Sequence, residues 1–386
     1  MRRIYLDHAA TTPVDPEVAA AMASVYHNVH GNPSSIYAEG RQARALVDNA
    51  REQVADAIGA QPSEIVFTSG GTEADNLALR GTVKAFRGER DGIVTSAIEH
   101  HAILDTARDM VERGEARLEL IGVGPFGRVE PAVLASFIDD RTAIVSVMHA
   151  NNEIGTIQPI AQIGRVCRDR GVVFHTDAVQ TVGALDFDVR RIPVDLVSLN
   201  AHKFYGPKGV GALYVRKGTR VATIQTGGGQ EKGRRTGTEN VAGIVGMGAA
   251  MQIAARTREA EAVRQAALRD RLIDGVLHAP VFARLTGHPR ERLPNSASFV
   301  LEGVDGASLV MALDMAGFAV SSGSACTSGD TEPSNVILAL GIDRELAKGS
   351  LRVTIGRSTT EADVDAFLAA LPGIVSRVRG ASPVSA

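Results

Sequence analysis

The chemistry-bearing residues of this chain stand at the ends of apolar runs. Lys203 follows His202 in SLNAHKFYGPKG, residues 198–209. A lysine at the inner end of a buried strand is unusual without a partner, and desolvation there lowers its pKa and makes it a nucleophile for a carbonyl. The alternative is a solvated loop lysine, the reading given to Lys208. Asp177 lies just past the apolar run GVVFH, with Gln180 three residues on. A carboxylate at such a place caps a turn or holds a buried cation by a charge-assisted hydrogen bond. In EHHAI, residues 99–103, His100 and His101 suit acid–base work or a helix start. No Cys/His cluster accompanies them, so a metal site is not expected. In GGTEADN, residues 70–76, two glycines precede Thr72. That pattern opens an ordinary capped helix or a helix start that binds phosphate through backbone N–H groups. Cys326, in SSGSACTSG (321–329), is one of only two cysteines. A structural cysteine prefers an apolar site, whereas the serines and glycines around this one favour backbone freedom.

These residues need a scaffold that gathers strand ends. EIVFTS (64–69), GIVTSAI (92–98), TAIVSVMHA (142–150), GVVFHTDA (171–178), VDLVSLNAH (194–202) and GVGALYV (209–215) read as strands, with helical patterns between most of the earlier ones. Near-continuous apolar strands alternating with helices predict an open, mostly parallel α/β sheet, in which ligands collect at the carboxyl ends of the strands. A long helical stretch follows at about 239–277. Next come SASFVLE (296–302), a helix near 306–316, FAVSSGSA (318–325), SLRVTIG (350–356) and a last helix from about Thr360 to Val378. The expected division is a large domain over 15–255 and a small α+β domain made of 1–14 and 256–386, which carries the cysteine loop.

Composition excludes several classes. The 386 residues are 44% hydrophobic and 22% charged, with a formal net charge of −3. Such a chain has no global basic field for nucleic acid or an anionic membrane. No apolar run reaches the length of a membrane span, and MRRIYLDHAATT lacks the apolar core of a secretory signal. Two cysteines cannot build a disulfide framework, so a reducing, cytoplasmic setting is expected. Cys167, in the helical pattern IGRVCRDRG, reads as structural.

A phosphate cup near Gly71 and Thr72, a carboxylate at Asp177 and a lysine at Lys203 together suit pyridoxal 5′-phosphate. The lysine forms a Schiff base with the aldehyde, the aspartate keeps the pyridine nitrogen protonated, and the phosphate anchors the far end.

Read in order, YLDHAATTPVD (5–15), GNPSS (31–35), TSGGTEADN (68–76), EHHAI, HANNEIGTIQPI (149–160), HTDAVQTVG (175–183), AHKFYGPKG, GGGQEKGRRTGTEN (227–240), SSGSACTSG and RVTIGRSTTEADVD (352–365) resemble the PLP-dependent cysteine desulfurases of the NifS/IscS type, in the class V aminotransferase superfamily. The resemblance spans nearly the whole chain and implies a PLP fold type I architecture. It implies that Lys203 carries the cofactor, that His100 stacks on the pyridine ring and moves protons, and that Gln180 meets the ring hydroxyl. Thr72 and His202 would reach the phosphate. Thr238 would reach that of a second subunit, which implies a homodimer. Asn152 and Arg352 would hold the substrate carboxylate, a bidentate task that suits arginine. Asn200 departs from the family serine, and an amide can replace a hydroxyl as donor.

The implied reaction takes sulfur from L-cysteine, leaving L-alanine and a persulfide on Cys326. Sulfur then passes to an iron–sulfur scaffold or another acceptor, and Cys326 could contact a cluster transiently. The CTSG form of the loop is similar to long-loop members, in which the persulfide reaches a scaffold directly. The chain ends soon after its last helix, which argues against docking through a longer C-terminal extension. The basic EKGRR run is expected to border the phosphate sites of the dimer, with a tRNA or partner contact as the alternative. Two other readings are a selenocysteine lyase or another class V lyase or transaminase, and a degenerate PLP-binding docking subunit. Intact Lys203, Asp177 and Cys326 speak against the last.

Overall fold

Burial on both faces makes the central strands run apolar, and β-branched residues fill them. The computed structural model describes residues 3–323 and 332–381. Strand β1 (Ile4–Tyr5) precedes helices α1 (Pro16–Asn28) and α2 (Ala38–Ile58). The α/β alternation is β2 (Ile65–Thr68), α3 (Gly71–Ala85), β3 (Gly92–Ser96), α4 (His101–Glu112), β4 (Arg117–Ile121), α5 (Pro131–Phe137), β5 (Thr142–Ser146), α6 (Ile160–Asp169), β6 (Val173–Asp177), β7 (Leu196–Asn200) and β8 (Gly211–Val215). After α7 (Val241–His278) come β9 (Ala283–Leu285), β10 (Ser296–Leu301), α8 (Gly306–Met315), β11 (Phe318–Ala319), α9 (Asn335–Ala339), α10 (Arg344–Lys348), β12 (Ser350–Thr354) and α11 (Glu361–Ala381).

The main sheet has the order β2-β8-β7-β6-β5-β3-β4. Its β7-β6-β5-β3-β4 part is parallel, which puts the carboxyl ends of β3, β5, β6 and β7 on one edge. Strand β8 runs antiparallel to both of its neighbours. The short link from β7 to β8 cannot make the crossover a parallel pair needs. Strand β4, absent from the sequence reading, pairs only with β3 at the edge, and its charged, largely exposed residues hide its strand character.

A second sheet, β12-β10-β9, is antiparallel, and β1 pairs with β11. Phe299, Val353, Phe367 and Leu371 form the core of this part. Helix α7 serves two cores: Met247, Ala250 and Met251 pack under the main sheet, and Leu272 and Val276 pack with the second sheet. Among the described residues, no helix is long and apolar enough to cross a membrane.

Candidate active site

The carboxyl edge of the main sheet opens into a cavity of about 370 Å³. Lys203, Asp177, His100, Asn152, Gln180, Asn200, His202, Gly71, Thr72 and Arg352 all line it. Cys326 lies outside the described residues. Thr238 is exposed and outside this cavity.

Lys203 ends a single 3₁₀ turn after β7. Its Nζ donates to the carbonyl oxygens of Ala9 and Ala10, the latter at 2.8 Å. Gln180 Nε2 donates to the same Ala9 oxygen at 3.0 Å. The N-terminal segment is therefore part of the site, which the sequence reading used for likeness only. Its small side chains let the backbone approach. The segment is pinned by Tyr5, whose hydroxyl donates to the carbonyls of Asp7 and Thr11 at 2.9 Å each.

Asp177 closes β6, and its Oδ1 accepts the Val179 N–H at 2.8 Å. Burial raises its pKa to about 6, opposed by that hydrogen bond and by the charge of Lys203. Two further buried carboxyls that sequence reading missed stand in the same wall. Glu99 accepts from Ser96 Oγ and from the Met148 N–H, and burial lifts it to about 8. Asp75, on the inner face of α3, is raised well above the usual carboxylate range by burial and then by Asp177. Behind them His175 joins Ser146 Oγ at 2.8 Å and Ser198 Oγ at 3.0 Å, and burial depresses it to about 3. Neither acid stood out in the sequence, because Asp75 sits among the polar residues that open α3 and Glu99 in the turn before α4.

His100 is the N-cap of α4, its Nδ1 accepting the Ala102 N–H at 3.1 Å. Burial and the charge of Lys203 depress its pKa to about 4. An accepting Nδ1 on a neutral ring leaves the proton on Nε2. His101, by contrast, is a surface residue paired with Asp105 at 3.1 Å.

The start of α3 corrects one expectation. Thr72 does not cap this helix: the N-cap is Gly70, and no side chain caps it. The first N–H groups stay available to an anion. A Cβ at Gly71 would lie 3.1 Å from Val179 Cγ2 and 3.3 Å from Asn200 Nδ2, so glycine keeps this floor thin. Asn200 Oδ1 is buried without a hydrogen-bond partner among the described residues, as is Asp75 Oδ1, which lies 3.7 Å from His175 Nε2. His202 Nδ1 meets Thr11 Oγ1 at 3.0 Å. The basic run folds back on two helices: Arg235 pairs with Glu73 of α3 at 2.8 Å, and Glu231 is buried against Arg51 of α2 at 2.7 Å.

On the opposite wall Arg352, from β12, donates to the Asn152 carbonyl at 3.0 Å and to Asp7 Oδ1 at 2.8 Å. Its Nε is buried without a partner among the described residues. Cys167 is fully buried on α6, and burial pushes its thiol up, which leaves it inert.

The profile of the class-V aminotransferases matches residues 4–367. The chain belongs to that family. Within it, a cysteine desulfurase IscS of Methanosarcina thermophila is 45% identical over 384 residues, covering 100% of this chain and 95% of the relative. An IscS-like cysteine desulfurase of Mycobacterium tuberculosis is also 45% identical, covering 99% and 98% of the two chains. A solved NifS-like protein superposes with a TM-score of 0.91 at 37% identity, covering 97% of this chain and all of that one. A structure described as SspA in complex with cysteine gives a TM-score of 0.80 at 32% identity, covering 91% and 98%. The chain is thus a cysteine desulfurase of the class-V family, and the family's cofactor is pyridoxal 5′-phosphate. The site fits that cofactor: an uncapped helix start for a phosphate, a buried carboxylate for a protonated ring nitrogen, and an amine between them.

Proposed function

We propose that this chain removes sulfur from L-cysteine by dividing the work between Lys203 and Cys326. Gly71, Thr72, Asn200 and His202 would hold the cofactor phosphate, Asp177 its ring nitrogen, Gln180 its hydroxyl, and His100 its face. Bound there, the cofactor supplies an electron sink that makes the α-proton and then the carbon–sulfur bond of cysteine labile. The observation that carries the reading is the convergence of Lys203, Asp177 and the bare start of α3 on one cavity.

Lys203 Nζ would serve as the base for the substrate α-proton. Its present acceptors, the Ala9 and Ala10 carbonyls, hold it at the cavity wall without neutralising it. Asp177 stays ionised when it faces a cation, because an opposite charge lowers a buried carboxyl. Burial disfavours a charge on Glu99 and Asp75, which favours Asp177 as the carboxylate that would pair with the cofactor ring. His100 donates from Nε2. Arg352 and Asn152 orient the substrate carboxylate. The Cys326 thiolate attacks the substrate sulfur; the C–S bond breaks with its electron pair left on the carbon side, and protonation there gives L-alanine beside a persulfide on Cys326.

The persulfide sulfur then passes to an iron–sulfur scaffold or another acceptor protein. Exposed Thr238 is consistent with service to a second subunit's phosphate site, in a homodimer. The division of the chain near residue 255, with residues 1–14 joined to the C-terminal part, is supported by the two cores that α7 serves and by the β1–β11 pair. A reducing cytoplasm suits a free catalytic thiol. Purified holoenzyme given L-cysteine and a thiol reductant is expected to yield L-alanine and sulfide in equal amounts; sulfide without alanine would refute the reading.

A further inference from the structure

Two stems flank the segment that carries Cys326: residues 321–323 on one side, and Ser334 with Asn335 on the other. The Glu153 side chain is bonded to the second stem and stands against the first. Its Oε2 accepts the Ser334 hydroxyl at 2.5 Å. The same oxygen lies 3.1 Å from the place a Cβ would take on Gly323, whose φ of +92° is a left-handed conformation suited to glycine. A side chain at 323 would therefore meet Glu153 and strain the backbone at once.

Glu153 reaches the stems from another part of the chain, the turn that follows β5. Asn151 fixes that turn: its Oδ1 accepts the Glu153 and Ile154 N–H groups at 2.8 and 2.9 Å, and its Nδ2 donates to the Ile98 carbonyl at 2.8 Å. The residue between them, Asn152, lines the substrate cavity and accepts from Arg352 through its carbonyl. The first stem is tied in turn to β12, by the Ser350 hydroxyl on the Ser322 carbonyl and by a backbone pair between Ser321 and Arg352 at 3.2 and 2.7 Å. The second stem is tied to the large sheet, where Asn335 Nδ2 donates to the Ala97 carbonyl at 3.3 Å.

Glu153 is buried, and an acid in such a place is costly unless its oxygens are engaged. Burial raises its pKa, while the Ser334 hydrogen bond and the charges of Arg352 and His101 oppose the rise. A hydrophobic side chain would fill the space without that penalty. The carboxyl is explained by what it grips.

We propose that Glu153 is a positioning residue for the sulfur-accepting half of the reaction: it bonds the Ser334 stem of the Cys326 segment, stands against the Gly323 stem, and so sets both on the Asn152 turn. The stems and one substrate contact then rest on adjacent residues of one rigid turn. This rests on the reading that Cys326 accepts the sulfur.

The test uses holoenzyme carrying Glu153→Ala, Glu153→Gln or Ser334→Ala. One readout is exchange of the α-proton of L-alanine with D₂O, which needs the cofactor and Lys203 but no thiol. The other is the rate at which persulfide appears on Cys326 in a quenched single turnover with L-cysteine, followed by mass spectrometry. Glu153→Ala should slow persulfide formation by about 10- to 100-fold, the scale of an ångström-sized misplacement, with exchange within about twofold of wild type. Glu153→Gln, whose amide oxygen still accepts the Ser334 hydroxyl, should stay within about threefold, and Ser334→Ala should lose about three- to tenfold, as for one lost hydrogen bond. Equal falls in both readouts for Glu153→Ala, or an unchanged persulfide rate, would overturn the inference. Wild-type turnover without persulfide on Cys326 would remove the parent reading and this inference with it; that failure is distinct because it appears without any substitution.

Discussion

The two walls of the cavity are built differently. One is made of strand ends and a helix start: Asp177 closes β6, Lys203 follows β7, His100 caps α4, and Gly71 opens α3. Its groups are held by the sheet ladder and by the apolar cores on either side. The other wall is assembled from remote stretches, Ala9 and Ala10, Asn152, Gly323, Asn335 and Arg352, with Arg352 bonded to the Asn152 carbonyl and to Asp7. The first wall suits a cofactor that must not move; the second suits a substrate that enters and leaves. Substitutions in the first should abolish chemistry as a unit, whereas those in the second should split it.

The largest effect expected is on the first wall. Lys203→Ala should lower alanine production by at least about 1,000-fold, the scale of losing both a general base and a covalent anchor. The cofactor in this variant should become removable by dialysis with the far-ultraviolet circular dichroism unchanged. Residual activity within tenfold of wild type would mean that another group takes the α-proton.

On the second wall the expected effect is smaller and selective. Arg352→Lys keeps the charge but loses the planar fork, so KM for L-cysteine should rise by about tenfold while kcat falls less. A kcat loss with unchanged KM would assign Arg352 to the chemistry and erase the distinction between the walls.

The smallest effect concerns stability. Glu99 is raised from 4.5 to about 8, so its neutral form favours the fold. That contribution is full below pH 4.5 and is lost as pH rises through about 8. His175, depressed to about 3, acts in the opposite sense and loses stability as pH falls below its ordinary 6.5. Glu99→Gln should therefore flatten the decline of apoprotein stability between pH 5 and 8 by about 2–4 kcal/mol, read from denaturant midpoints. An identical decline in both proteins would show that Glu99 is already ionised in the fold.

The same contrast explains what was legible in the sequence. Strands β2, β3, β5, β6 and β7 announce themselves by continuous apolar runs, and Lys203, Asp177 and His100 stand out as polar residues at their ends. The direction of β8 was hidden because an apolar run carries no direction; only the short link before it does. Asp75, Glu99 and Glu153 sat inside recognised motifs without roles, because a carboxylate in a helix or turn reads as solvent-facing until its neighbours are placed around it. Thr72 looked like a cap because threonine commonly is one, but the backbone caps the helix two residues earlier, at Gly70. The Ala9 and Ala10 carbonyls could not be foreseen, since backbone acceptors leave no mark on residue type. Cys326 was singled out by its rarity and its glycine- and serine-rich surroundings, and it lies outside the described residues.

The division of labour between the walls is tested most directly by Cys326→Ser. The holoenzyme variant should exchange the α-proton of L-alanine with D₂O at close to the wild-type rate while releasing no sulfide from L-cysteine. Wild type should do both. Sulfide release that survives the substitution would contradict the account, because sulfur would then leave the substrate without the protein thiol.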